Sequence, residues 1–175
     1  MFGMKKIRGA AVIAILSIAV VGCAAQMKDK MTFSGPGSVA YSKVLWKAMA
    51  NANLVGKNMI RTTPYEGKEP HGAILETLDT KITVQGHSGW VVVKRNCGPK
   101  GIDEDDVVAN PAKHLKAVTV MFKREKGYDT ENKDWFWAKY KADGSLDKNP
   151  KGMQLAGLKD DGQLADLLAC LHSKQ

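Results

Sequence analysis

Two segments in the second half of the chain constrain the fold most. In Lys116–Lys123, Val118, Val120 and Phe122 alternate with Thr119 and Met121. In Trp135–Lys141, Trp135 and Trp137 share one side and Phe136 takes the other. A period of two places successive side chains on opposite faces of an extended chain and cannot give a helix a single apolar stripe. The residues between them, Gly127–Asp134, have turn chemistry. The pair therefore reads as two β-strands joined in an antiparallel hairpin. On these strands the aromatic residues are first of all core, with a ligand-stacking wall as the alternative.

Further strands precede this hairpin. Ala73–Leu78 is one, and Gly89–Arg95, with Trp90-Val91-Val92-Val93-Lys94, is richer in β-branched residues. Asn96-Cys97-Gly98-Pro99 ends it. Asp143-Gly144 turns the chain after Lys141. Helical spacing occurs at both ends. Tyr41, Val44, Leu45, Ala48, Met49 and Ala52 make 38–54 an amphipathic helix with Ser38 as its N-cap, ending before Gly56. Leu164, Leu167, Leu168 and Leu171 give Asp161–His172 the apolar face of a short C-terminal helix. Asp103–Ala109 is a short helix with acids at its positive end, and Thr62–Gly72 is a loop. Helix, strands, helix is the order of an α+β domain built on a mainly antiparallel sheet.

The first residues have a different character. Lys5, Lys6 and Arg8 precede an apolar run, Ala10–Val21, too short for a membrane-spanning helix, which needs about 20 residues. It has the length of a signal-peptide hydrophobic region. The run closes on Val20-Val21-Gly22-Cys23, which resembles a lipobox: the Cys23 thiol takes a diacylglycerol and the chain is cut before it. The expected organisation is a signal peptide at 1–22, a lipidated flexible tether at 23–37 and one domain at 38–175. Acyl chains such as palmitate would hold the domain on a membrane. Ala24, in place of the Asp that retains lipoprotein in the inner membrane, points to the outer membrane of a bacterial cell envelope, facing the periplasm. Losing the three basic residues of the signal lowers the formal charge from +8 to +5.

Composition and spacing exclude several chemistries. No basic stripe suggests nucleic acid. His71, His87, His114 and His172 form no zinc spacing. Asp103–Asp106 lacks the alternation and the glycine of a calcium loop. There is no phosphate-binding glycine loop and no Gly-x-Ser-x-Gly elbow. His71 reads as a local structural histidine.

Leu115–Tyr140, with its "TVM" strand, "GYD" turn and "DWFWAKY" strand, resembles the cytochrome P-460 family. Pro70-His71-Gly72-Ala73, Trp90–Lys94 and Asp143-Gly144 stand in that family's order, so the resemblance spans roughly 38–172. It implies a periplasmic, mainly antiparallel β domain, commonly a homodimer, that binds c-type haem. Lys94 matches the lysine cross-linked to the haem edge in the hydroxylamine-oxidising members; relatives without the cross-link bind gases such as nitric oxide. The family's Cys-x-x-Cys-His falls here on Leu168-Ala169-Cys170-Leu171-His172. Both attachment positions are leucine, which removes two-thioether attachment. His172 remains as a candidate ligand of haem iron. Without haem, Lys94 reads as a strand-end lysine facing solvent and His172 as an exposed histidine. The alternative is a haem-free module of the same fold, in which a Cys97–Cys170 disulfide pins the C-terminal helix.

Overall fold

A computed structural model describes residues 32–68 and 71–158. The signal region, Cys23, Cys170, His172 and the expected C-terminal helix lie outside the described residues.

Six strands form one antiparallel sheet in sequence order: β1 (Tyr65–Glu66), β2 (Ile74–Val84), β3 (His87–Cys97), β4 (Leu115–Lys123), β5 (Trp135–Lys141) and β6 (Ala156–Gly157). Every neighbour in the sheet is also a neighbour along the chain, so each connection is a simple reversal. The β2–β3 reversal is the tightest. Val84 pairs with His87, and Gln85 and Gly86 both have positive φ, at 50° and 82°. Two such residues give the turn whose twist matches that of the flanking strands.

Both strands of this hairpin exceed expectation. Residues 79–84 continue β2, with Thr80, Ile82 and Val84 alternating against Asp79, Lys81 and Thr83. β3 continues through Cys97, where a bulge shifts its register on β4. The β3–β4 connection holds two short helices, α2 (Glu104–Ala109) and α3 (Pro111–His114). In α2 a capping box forms between Asp103 and Asp106, as acids at a helix start favour.

The long helix α1 is Pro36–Asn51. Its N-cap is Gly35, with Pro36 at the first helical position, where its missing N–H costs nothing. Ser38 is therefore not the cap. It is fully buried and donates from Oγ to the Thr32 carbonyl at 2.7 Å. Tyr41, Leu45 and Met49 reach the core, whereas Val44 of the expected stripe is exposed. The helix lies on one face of the sheet. Its residues pack with Val91, Val93, Val118, Val120, Phe122, Phe136 and Ala138. Tyr140 ties the layers by donating to the Ser42 carbonyl at 2.8 Å.

Residues 32–37, expected in the tether, belong to the fold. Ser34 donates its N–H to the Ala156 carbonyl at 2.7 Å. Thr32 and Phe33 lie so close over Gly157 that a Cβ there would meet the Thr32 carbonyl oxygen at 2.7 Å. Phe33 packs on Met121 and Trp137, on the sheet face away from α1. The chain thus arrives on one face, rounds the β6 edge and covers the other with α1.

Candidate functional site

The ladder registers sort the side chains of the two faces. Across β2, β3, β4 and β5, Thr77, Lys94, Thr119 and Lys139 stand in one row. The adjacent row is Asp79, Val92, Met121 and Trp137. Both rows are on the face opposite α1, because Val91, Val93, Val118 and Val120 alternate with them and point at the helix.

Lys94 is the unusual member. It sits within β3 rather than at its end, and it is only 8% exposed. The solvent-facing strand-end lysine expected in the absence of haem is therefore corrected: β3 runs on to Cys97, and neighbouring strands flank Lys94 on both sides. Its Nζ has no hydrogen-bond partner among the described residues. The flanking hydroxyls are engaged elsewhere, Thr77 with Tyr65 at 2.8 Å and Thr119 donating to the Asn96 amide oxygen at 3.3 Å. In the adjacent row and two strands away, the Trp137 indole Nε1 is also buried without a partner among the described residues. Burying a polar group unpaired is costly, and a charged one more so. Two such groups share this face with Met121 and Val92, and an acceptor edge joined to an apolar body is the ligand chemistry that would answer both.

The other face resolves its charges internally. Glu76 and Arg95 are each 1% exposed. Glu76 accepts from Arg61 Nε at 2.7 Å and stands 3.5 Å from Arg95 Nη1. Arg95 Nη2 donates to the carbonyls of Leu54 and Ile60, both at 2.7 Å. Burial pulls the Arg95 pKa down and Glu76 counters it. This network fastens the segment after α1 to the sheet, and its ionic partners are already in place.

Cys97 is a free cysteine, buried with Ile74 and Val107 in a small separate cluster. Burial, followed by the nearby Glu76 carboxylate, raises its thiol pKa. It therefore keeps company with the Glu76–Arg95 network rather than with Lys94; Cys170, its expected bridging partner, lies outside the described residues. Such a thiol is a small core hydrophobe with little thiolate character.

The histidines are distributed. His87 Nε2 lies 3.0 Å from the Lys123 carbonyl, and His114 Nδ1 lies 3.2 Å from the Gly98 carbonyl, so backbone groups hold both. The His71 carbonyl accepts from the Asn96 side chain. Among the described residues no group of three or more His, Cys, Asp or Glu could hold a metal ion. Trp135 and Trp137 share a face as the alternation required, while Phe136 enters the main core. Thr77, Asn96 and Thr119 are site residues that sequence reading did not single out; the signal was their parity with Lys94 once the strands are paired. No family model, no curated protein and no solved structure matches this chain.

Proposed function

We propose that this chain is an exported lipoprotein, tethered to a bacterial membrane through Cys23 and facing the periplasm. Its cytochrome P-460-like domain would bind haem non-covalently on the Lys94 face. The single observation that carries the ligand site is the buried Lys94 ammonium with no partner among the described residues. The residues of this face fit such a group. Lys94 would offer a cation to an anionic edge and Trp137 an N–H, and Met121 and Trp137, 6% and 1% exposed, would meet an apolar body only where Phe33 gave way.

His172 is the residue proposed to ligate the iron, without thioethers, since Leu168 and Leu171 replace the attachment cysteines. Haem would supply redox chemistry and binding of small nitrogen oxides such as nitric oxide. Lys94 would hold and orient its anionic edge, and the apolar wall would exclude water from it. Hydroxylamine turnover is not part of the proposal.

The experiment is a visible spectrum of protein made in the periplasm with haem supplied, followed by haem titration. A stoichiometric Soret band that disappears in His172→Ala and weakens in Lys94→Met is the expected result. Protein that is colourless as isolated and stays colourless through the titration ends the haem reading.

A further inference from the structure

At the hairpin end of the Lys94 face, cations and indoles alternate across four strands. Lys81 on β2 pairs with Trp90 on β3. Val91 pairs with Phe122, so Lys123, the next residue of β4, falls opposite Trp90. Lys123 in turn pairs with Trp135 on β5. The result is a row Lys81, Trp90, Lys123, Trp135. Each lysine ammonium sits 5.4 Å from the centroid of a neighbouring indole, Lys81 with Trp90 and Lys123 with Trp135. Trp90 is 47% exposed, an unusual state for so large an apolar ring in mid-strand.

The charge of the whole face points the same way. Lys81, Lys94, Lys123, Lys139 and Lys141 stand on it, and the registers put one carboxylate, Asp79, among them on β2–β5. Asp147 from the following segment pairs with Lys139 at 3.2 Å, and no carboxylate is paired with Lys81 or Lys123 among the described residues. Indoles flanked by lysines suit the boundary between acyl chains and anionic headgroups. Indole is both apolar and polar, and each lysine near an anionic surface adds attraction.

The path of the chain brings that surface close. Phe33 packs on Met121 and Trp137, on this same face and one rung from the row. Phe33 is ten positions after Cys23, a reach of about 35 Å at most. We propose that the Lys81–Trp90–Lys123–Trp135 row docks on an anionic membrane surface beside the lipid carried by Cys23. This rests on the lipoprotein reading above. The row is four residues along β3 from Lys94, about 13 Å, so docking places the ligand site near the membrane without covering it by the same residues.

The test uses the full lipidated protein, reconstituted into vesicles with brominated acyl chains, made from phosphatidylcholine alone or with phosphatidylglycerol. Bromine quenches indoles at the acyl boundary. The expected result is quenching in the anionic vesicles that Trp90→Phe lowers and Trp90→Phe/Trp135→Phe removes. High salt and the Lys81→Glu/Lys123→Glu pair abolish it as well. Since Lys123 also donates to the Lys133 carbonyl, Lys81→Glu alone serves if the pair does not fold, with at least a halving of the quenching expected. Equal quenching in neutral vesicles overturns the proposal. So does an absence of quenching in protein whose intact mass includes the lipid. A mass without acyl chains ends the lipoprotein reading by itself. That anchor-free chain is then sedimented with the same vesicles, where pelleting with phosphatidylglycerol keeps the docking face and failure to pellet removes it.

Discussion

The two faces of the sheet solve the same problem differently. Toward α1, Glu76 sits between Arg61 and Arg95, and Arg95 closes on two carbonyls, although its Nε and the Tyr41 and Tyr128 hydroxyls have no hydrogen-bond partner among the described residues. The remainder of that face is aliphatic and aromatic core. On the opposite face Lys94, 8% exposed, has no such partner among the described residues. One buried cation on β3 has its partners, and the adjacent residue of the same strand, on the opposite face, carries another that has none among the described residues. The helix face holds the molecule together, and the proposed ligand site lies on the other.

That contrast is broken most severely on the helix face. Phe136→Ala would empty a fully buried site in contact with Tyr41, whose ring centroid is 4.9 Å away. We expect a loss of about 3–5 kcal/mol by the transfer and cavity terms, read as a lower urea midpoint. Glu76→Ala should cost about as much, roughly 3–5 kcal/mol, because it leaves Arg95 buried without its counter-charge. The double variant Glu76→Ala/Arg95→Met should recover part of that loss. If it recovers none, the ionic account of this face is wrong. Tyr140→Phe is a smaller probe. It removes the bond to the Ser42 carbonyl and should cost about 1 kcal/mol.

How far these faces could be read from sequence follows from the range of the causes. The alternation in 116–123 and 135–141 is local, so it placed Phe136 and Trp137 on opposite faces before any pairing was known. The short helix after Asp103 was equally local, since its cap and acids are contiguous. Residues 79–84 give a weak strand signal because Asp79, Lys81 and Thr83 make the segment look polar. The turn at Gln85-Gly86 and the alternation of Thr80, Ile82 and Val84 were the available signals. The burial of Lys94 has no local signature. It depends on Thr77 and Thr119, distant in sequence and brought alongside by register. Likewise Ser38 looked like a cap because its type is right, but Pro36 starts the helix a turn earlier and Ser38 faces inward.

The faces should also part company in alkali. Burial pushes the Tyr41 hydroxyl up to about 12, with Arg124, its guanidinium carbon 4.1 Å from the ring, pulling the other way. Burial raises Tyr128 and Tyr140 as well, and all three rings pack in or against the helix-side core. An acid with a raised folded-state pKa contributes fully below its unfolded value, here 10.0 for Tyr41. The contribution is lost as pH climbs through the folded value, because the unfolded chain ionises first. The tyrosine contribution should therefore be level below pH about 10 and fall toward 12, and Tyr41→Phe should shallow that fall. An unchanged alkaline profile in Tyr41→Phe would assign the fall to the other two tyrosines.

The smallest expected stability effect carries the most information about function. Lys94→Met keeps the length and apolar stem of the side chain and removes an ammonium that the described protein leaves unpaired. Where a buried charge has a partner, as at Glu76, deletion strands the other ion. Where it has none, an apolar replacement relieves desolvation and strands nothing. Ligand-free Lys94→Met should accordingly unfold within about 1 kcal/mol of the parent, or above it, while Glu76→Ala falls far below. Its haem titration should weaken at the same time. A loss above roughly 2 kcal/mol in the ligand-free variant would show that Lys94 belongs to the scaffold, and the division of labour between the faces would collapse.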